Sequence, residues 1–421
     1  MVLYSRDSHT LYTLLVARNP LKISGSSATY LASRWSALFL SFCFSILYSR
    51  LLGLENRSVL TFILTIISLL VLGVTSSLGL RLRQQISLQG NQKDIFIKYL
   101  SDLAHLTLVI LFLFFPMMLA YSFLVTPINL KILLLATLLL ITSNLAYGMS
   151  EMLMALDRIR TVGLIGNLEI LLQFVVFYFA QYFAGISLII SVFVGISISY
   201  LVSSTIILTI SRRHLNSAGF FRNLRKKVKI SELLNRESLA VSLPFVFMDR
   251  LDKILIGFML PLPDLSKYSI VLVFFSVLRS IPETLARIRF SRHSITYSNL
   301  GTRIPWGVLV LSLIIVGIYP AYNFLITNLL DTSWLVSFNT FLVVGVFEIA
   351  RGFFLLQTNF DFASARNSNT FRNILLLISI SILLTISSIS SLGLVAVPIS
   401  FGSAYFILIL RQSWINKKQS L

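Results

Sequence analysis

Apolar blocks of roughly 20 residues follow one another along the chain, separated by short polar connections. At about 1.5 Å per residue, a helix of that length crosses roughly 30 Å of hydrocarbon. The blocks lack the alternation of ~10-residue segments that marks an outer-membrane barrel. The pattern therefore predicts an all-α integral membrane protein of about 12 transmembrane helices, at 27–49, 59–80, 104–125, 132–154, 162–180, 185–210, 238–260, 268–286, 305–327, 334–357, 373–388 and 391–410. The longest polar stretch, 211–237, divides the spans six and six. This predicts a 1–26 arm, a six-helix bundle over 27–210, a basic linker, a second six-helix bundle over 238–410 and a 411–421 tail. An even number of spans per half sends both halves into the membrane in the same sense, so the bundles are expected to be related by a pseudo-two-fold axis along the membrane normal. "RLLGLE" after the first span and "ILIGFML" at the end of the seventh each place a glycine at the expected turn.

Composition agrees with this pattern. The sequence is 56% hydrophobic and 12% charged, with a mean hydropathy of +0.86, too apolar for a chain whose whole surface meets water. The net charge of +19 is unevenly placed. About 26 cations fall on one set of connections and about 4 (Arg50, Arg57, Lys131, Lys267) on the other. The positive-inside rule puts the basic set, and both termini, on the cytoplasmic side of the membrane. The linker cluster is also suited to anionic lipid headgroups. Nucleic-acid binding is excluded, because the cations follow the loops and no reading module accompanies them. The single cysteine, Cys43, and four scattered histidines give no metal-ligand spacing, and no cofactor is expected. The first span is expected to act as an uncleaved anchor. Trp306, Trp334 and Trp414 fall near span ends, as interfacial aromatics do.

The charges left inside the spans point to chemistry. Arg34, Arg250, Lys253, Arg279 and Arg351 stand there with Asp249, Asp252, Glu283 and Glu348. Facing lipid, nine such groups would cost more than about 20 kcal/mol, so they must face protein or water. At about 100° per residue, Asp249, Arg250, Asp252 and Lys253 share one arc of about 160°. Arg279 with Glu283, and Glu348 with Arg351, have the spacing of neutralising pairs on one helix face. Pro244 and Pro282 stand where kinks would flank the polar patch. Such charges either form buried structural pairs or line a hydrated cavity. The short outer connections leave no room for a catalytic domain, and no Gly-rich phosphate loop is present, which argues against an enzyme. The cationic members suit an anionic, phosphate-bearing ligand.

Two stretches carry a family resemblance. "YSRLLGLENRSVLTFILTIISLLVLGVTSSLGL" (48–80) resembles the start of polysaccharide/O-antigen (Wzx-type) flippases of the multidrug/oligosaccharidyl-lipid/polysaccharide (MOP) exporter superfamily. "MDRLDKILIGFMLPLPDLSKYSIV" (248–271) is similar to the end of their seventh helix and the start of the eighth. The resemblance implies alternating-access transfer of an undecaprenyl-diphosphate-linked oligosaccharide from the cytoplasmic to the periplasmic leaflet. Arg34 and Arg279 would then match cavity arginines, and Arg250, Lys253 and Arg351 would join them in substrate binding. Asp249, Asp252, Glu283 and Glu348 would serve charge pairing or H⁺ or Na⁺ coupling. Membrane lipids, a glycan polymerase and a chain-length regulator are the partners implied. The chain departs from the usual pattern at "LENRS" and "RSIPETLARIRF". Two rival expectations are a cation-coupled multidrug exporter of the same superfamily and an O-antigen polymerase. Five cations against four acids favour the anionic substrate.

Overall fold

The computed structural model describes residues 25–88, 92–156, 158–212, 236–290, 304–363 and 367–419. The N-terminal arm, nearly all of the basic linker and the loop cations Arg292, Arg303 and Arg366 lie outside the described residues. The described residues form eleven α-helices and two short 3₁₀ turns, with no strand. The helices are α1 (Gly25–Leu88), α2 (Gln92–Leu124), α3 (Leu130–Ala155), α4 (Ile159–Tyr182), α5 (Leu188–Ser211), α6 (Arg236–Met259), α7 (Leu262–Phe290), α8 (Ile304–Leu329), α9 (Phe338–Ala363), α10 (Asn367–Leu392) and α11 (Ala396–Gln419). The chain is thus an all-α, multi-pass membrane protein. Among the described residues, seven helices are long and apolar enough to cross a membrane. α6 is not one of them, because four ionisable residues crowd into 249–253.

Serine and threonine are tolerated in these helices because their hydroxyls bond back to carbonyls one turn earlier. Ser49 to Ser45 O (2.7 Å), Thr65 to Thr61 O (2.7 Å) and Ser203 to Ser199 O (2.8 Å) are examples. No water is needed to satisfy them.

The first two expected spans are two arms of α1. They are broken at Gly53, whose φ of 72° and ψ of 175° leave the helical region. The "RLLGLE" glycine is therefore the turn, as its sequence suggested, in a conformation that a Cβ would strain. The "ILIGFML" glycine is different. Gly257 lies inside α6 with the Phe62 ring of α1 over it, so it is a packing glycine. Two further expectations are corrected. Arg57, counted with the outer loop cations, is buried and donates from Nη2 to Ser45 Oγ at 2.8 Å. Trp334, expected at the interface, is 2% exposed within the 3₁₀ turn Thr332–Trp334. The side chains of Trp306 and Trp414 lie outside the described residues.

Packing repeats between the two halves of the chain. In the first half α3 and α4 each pack on α5, and α1 packs on α3 and α4. In the second half α9 and α10 each pack on α11, α7 packs on α9, and α6 packs on α10. With α1 read as the counterpart of α6 plus α7, the same neighbours recur six spans later. The halves meet where α1 packs on α6 and α7.

Polar contacts of this seam gather at the end of the bundle that carries few charges. Ser58 Oγ and Ser266 Oγ are 2.7 Å apart, and Ser266 donates to Leu54 O at 2.6 Å. Ser58 also bonds Leu262 O. Just beneath, Phe62 stacks on Tyr121 (3.8 Å between centroids) and meets Phe258 edge-on (5.2 Å). Deeper in the seam, Phe42 and Phe274 meet edge-on at 4.9 Å. An aromatic, small-residue seam of this kind packs well yet holds few directional bonds.

Candidate substrate site

The intramembrane charges of the second half converge from three helices. α6 brings Asp249, Arg250, Asp252 and Lys253, α7 brings Arg279, and α9 brings Glu348 and Arg351. Arg351 is the hub. Its Nη1 donates to Glu348 Oε1 at 2.8 Å, the i,i+3 pair anticipated from spacing, and lies 3.6 Å from Asp252 Oδ2. Its Nη2 bonds the carboxylate and the backbone carbonyl of Asp249. Tyr268 of α7 donates to Asp252 Oδ2 at 2.8 Å, and the Arg351 guanidinium stands 5.6 Å from the Phe347 ring centroid. Arg351, Asp252 and Glu348 are each 1% exposed or less. A fork of five donors is suited to joining three carboxylates at once.

Arg279 pairs across helices. Its Nη1 is 3.1 Å from Glu348 Oε2 and 3.8 Å from Asp249 Oδ1. Arg250 lies beside Asp249, Nε to Oδ2 3.5 Å, and Lys253 is within electrostatic range of both aspartates. Exposure separates this group from the hub. The side chains of Arg250 and Arg279 are each 22% exposed and that of Asp249 is 18% exposed. Lys253 is partly exposed as well. The terminal nitrogens of Arg250 make no hydrogen bond or ion pair among the described residues. Four cations face three carboxylates, so the described cluster carries one net positive charge when all are ionised. A sealed anionic hub therefore supports a cationic rim.

Of the nine expected residues, seven are brought together here. The side chains of the other two, Arg34 and Glu283, lie outside the described residues. Arg34 belongs to the turn of α1 that docks on α4, where Asn167 Nδ2 donates to Ser33 Oγ (3.0 Å) and Ser36 Oγ donates to Asn167 Oδ1 (3.1 Å). Pro244 and Pro282 lie within α6 and α7, which continue through them.

Sequence reasoning missed the first half's contribution. Tyr147 of α3 and Tyr200 of α5 have ring centroids 6.3 Å apart, with their hydroxyls turned toward one another. Glu169 of α4 is within electrostatic range of both, and its Oε1 has no hydrogen-bond partner among the described residues. Arg250, in the other half, is within electrostatic range of Tyr147.

Solved structures give this architecture a context. The chain is similar to the lipid II flippase MurJ in an inward closed conformation, with a TM-score of 0.70 and 14% identity, over 90% of this chain and 86% of that one. It is also similar to an inward-facing MATE-family multidrug resistance transporter of the MOP superfamily, with a TM-score of 0.62 and 14% identity, over 93% of this chain and 98% of that one. A eukaryotic MATE transporter gives 0.61 and 14% over 95% and 98%. The chain shares their fold. No protein-family model matches the sequence, and no curated protein matches it significantly. At these identities the likeness speaks to architecture, so function has to be argued from the site.

Proposed function

We propose that the protein is a flippase of the MOP type that carries an undecaprenyl-diphosphate-linked oligosaccharide, of the O-antigen repeat-unit kind, across a bacterial inner membrane with both termini cytoplasmic. The observation that carries this reading is the partly exposed cationic rim of Arg250, Lys253 and Arg279 over the buried acidic hub that Arg351 ties together. A diphosphate presents two groups of oxygens suited to arginine forks and an ammonium. The prenyl tail would remain in lipid while the headgroup occupies the gap between the halves, which rock about the aromatic seam. Burial of Asp252, Glu348 and Arg351 gives them the role of fixing α6 against α9 and aiming the rim. The lipid-linked substrate of MurJ fits this reading. The MATE likenesses support a second one, export of an organic cation, which the excess of cations over acids among the described site residues disfavours.

Two arms of one experiment test it. In proteoliposomes the protein is expected to accelerate transbilayer movement of a fluorescent undecaprenyl-diphosphate disaccharide and to leave accumulation of the organic cation ethidium unchanged. The reverse result would make the chain a cation exporter. In a Cys43→Ser background, Ser58→Cys with Ser266→Cys should form a disulfide across the seam, given the 2.7 Å between the native hydroxyls. Oxidation should stop lipid movement at least tenfold and reductant should restore it. Full activity in the cross-linked protein would exclude alternation about this seam.

A further inference from the structure

Tyr147 and Tyr200 pair α3 with α5, ring centroids 6.3 Å apart, and Glu169 on α4 brings a carboxyl oxygen without a partner among the described residues. Each stands off the lipid-facing side of its helix. On α3 the exposed apolar stripe includes Leu134 and Ile141, on α4 Leu164 and Leu171, and on α5 Ile198 and Leu201. At about 100° per residue, Tyr147, Glu169 and Tyr200 lie about 130–150° round from those stripes. Tyr147 is nevertheless 36% exposed, and Glu169 and Tyr200 are partly exposed. Surface that faces neither lipid nor core on three adjoining helices is left to face the other half of the chain. At about 1.5 Å per residue, the three lie at similar depth, roughly 12–17 Å from the basic ends of their helices. Of the three, Tyr147 is also within electrostatic range of Arg250 in the other half.

We infer that Tyr147, Tyr200 and Glu169 form a sugar-docking face for the glycan of the lipid-linked substrate. The inference rests on the flippase reading above and adds where the sugars sit. Aromatic rings offer the flat apolar surface on which the C–H face of a pyranose packs, and their hydroxyls add donors. The Glu169 carboxyl oxygen, without a partner among the described residues, is placed to accept from a sugar hydroxyl. The two faces orient one substrate between them, the diphosphate toward Arg250, Lys253 and Arg279 and the sugar toward the tyrosines and Glu169.

The test is a binding ratio on the purified full-length protein in nanodiscs. The probes are undecaprenyl diphosphate alone and the same lipid carrying one of four sugars: glucose, galactose, N-acetylglucosamine or N-acetylgalactosamine. At least one sugar-bearing lipid should bind wild type tenfold or more tighter than the bare lipid. Tyr147→Ala, Tyr200→Ala and Glu169→Gln should bring that ratio near one while bare-lipid affinity stays within twofold, and Tyr147→Phe should keep most of it. A wild-type ratio near one for all four sugars would overturn the docking face while leaving the flippase reading standing. Failure of wild type to bind any undecaprenyl diphosphate would instead overturn the flippase reading. An intact ratio in Glu169→Gln, with transport made pH-independent, would assign Glu169 to proton carriage and remove it from the sugar face.

Discussion

Arg250→Ala is expected to cut transbilayer movement of a lipid-linked diphosphate sugar by roughly 30- to 150-fold, with purified yield and unfolding temperature close to wild type. Loss of a charge-assisted contact to phosphate is worth about 2–3 kcal/mol, and each 1.4 kcal/mol is tenfold. Structural damage should be small because only the Arg250 Nε lies near a carboxylate, at 3.5 Å from Asp249. Asp249 itself keeps Arg351 and Arg279 as partners. Arg250→Lys separates charge from geometry, since an ammonium restores the charge without the planar fork. Recovery of most of the activity in Arg250→Lys would mean that the rim acts as a point charge. Unchanged movement in Arg250→Ala would remove this residue from the substrate path.

Arg351→Met should act on stability. It leaves Asp249, Asp252 and Glu348 facing one another, with Arg279 beside Glu348, Arg250 beside Asp249 and Lys253 in range of both aspartates as the remaining compensation. Removing one member of a buried ionic group costs about 3–5 kcal/mol. The expected outcome is a fall in unfolding temperature of roughly 3–6 °C in detergent, read by circular dichroism at 222 nm. Arg351→Met with Glu348→Gln should recover part of the loss, because the second change removes one of the stranded charges. An unfolding temperature equal to wild type in the single variant would show that water, and not Arg351, compensates these acids.

Much of the architecture was legible because lipid is an exacting solvent. It forces backbone groups into helices and makes block length readable, and it makes each intramembrane charge conspicuous. The Glu348–Arg351 pair could be read from spacing alone. What binds Arg351 to Asp249 could not, because 102 residues separate them and only the packing of the second half joins them. The same limit hid the cross-helix pairing of Arg279 with Glu348. Gly53 carried its meaning locally, in a conformation few other residues adopt, whereas Gly257 acquires its meaning from Phe62 on another helix. Arg57 looked like a loop cation because it follows the turn, yet the second arm of α1 starts beneath it and turns it inward. Glu169 stood alone in apolar company, and neither Tyr147 nor Tyr200 is unusual in a membrane helix. The signal that would have found them is their shared displacement from the lipid-facing stripes at matched depth.

The most direct measurement is the rate at which proteoliposomes move a fluorescent undecaprenyl-diphosphate disaccharide between leaflets, compared for wild type and Arg250→Gln/Arg279→Gln. The account predicts rapid exchange for wild type and, for the folded double variant, a rate no faster than protein-free vesicles. Equal rates for the two proteins would contradict it.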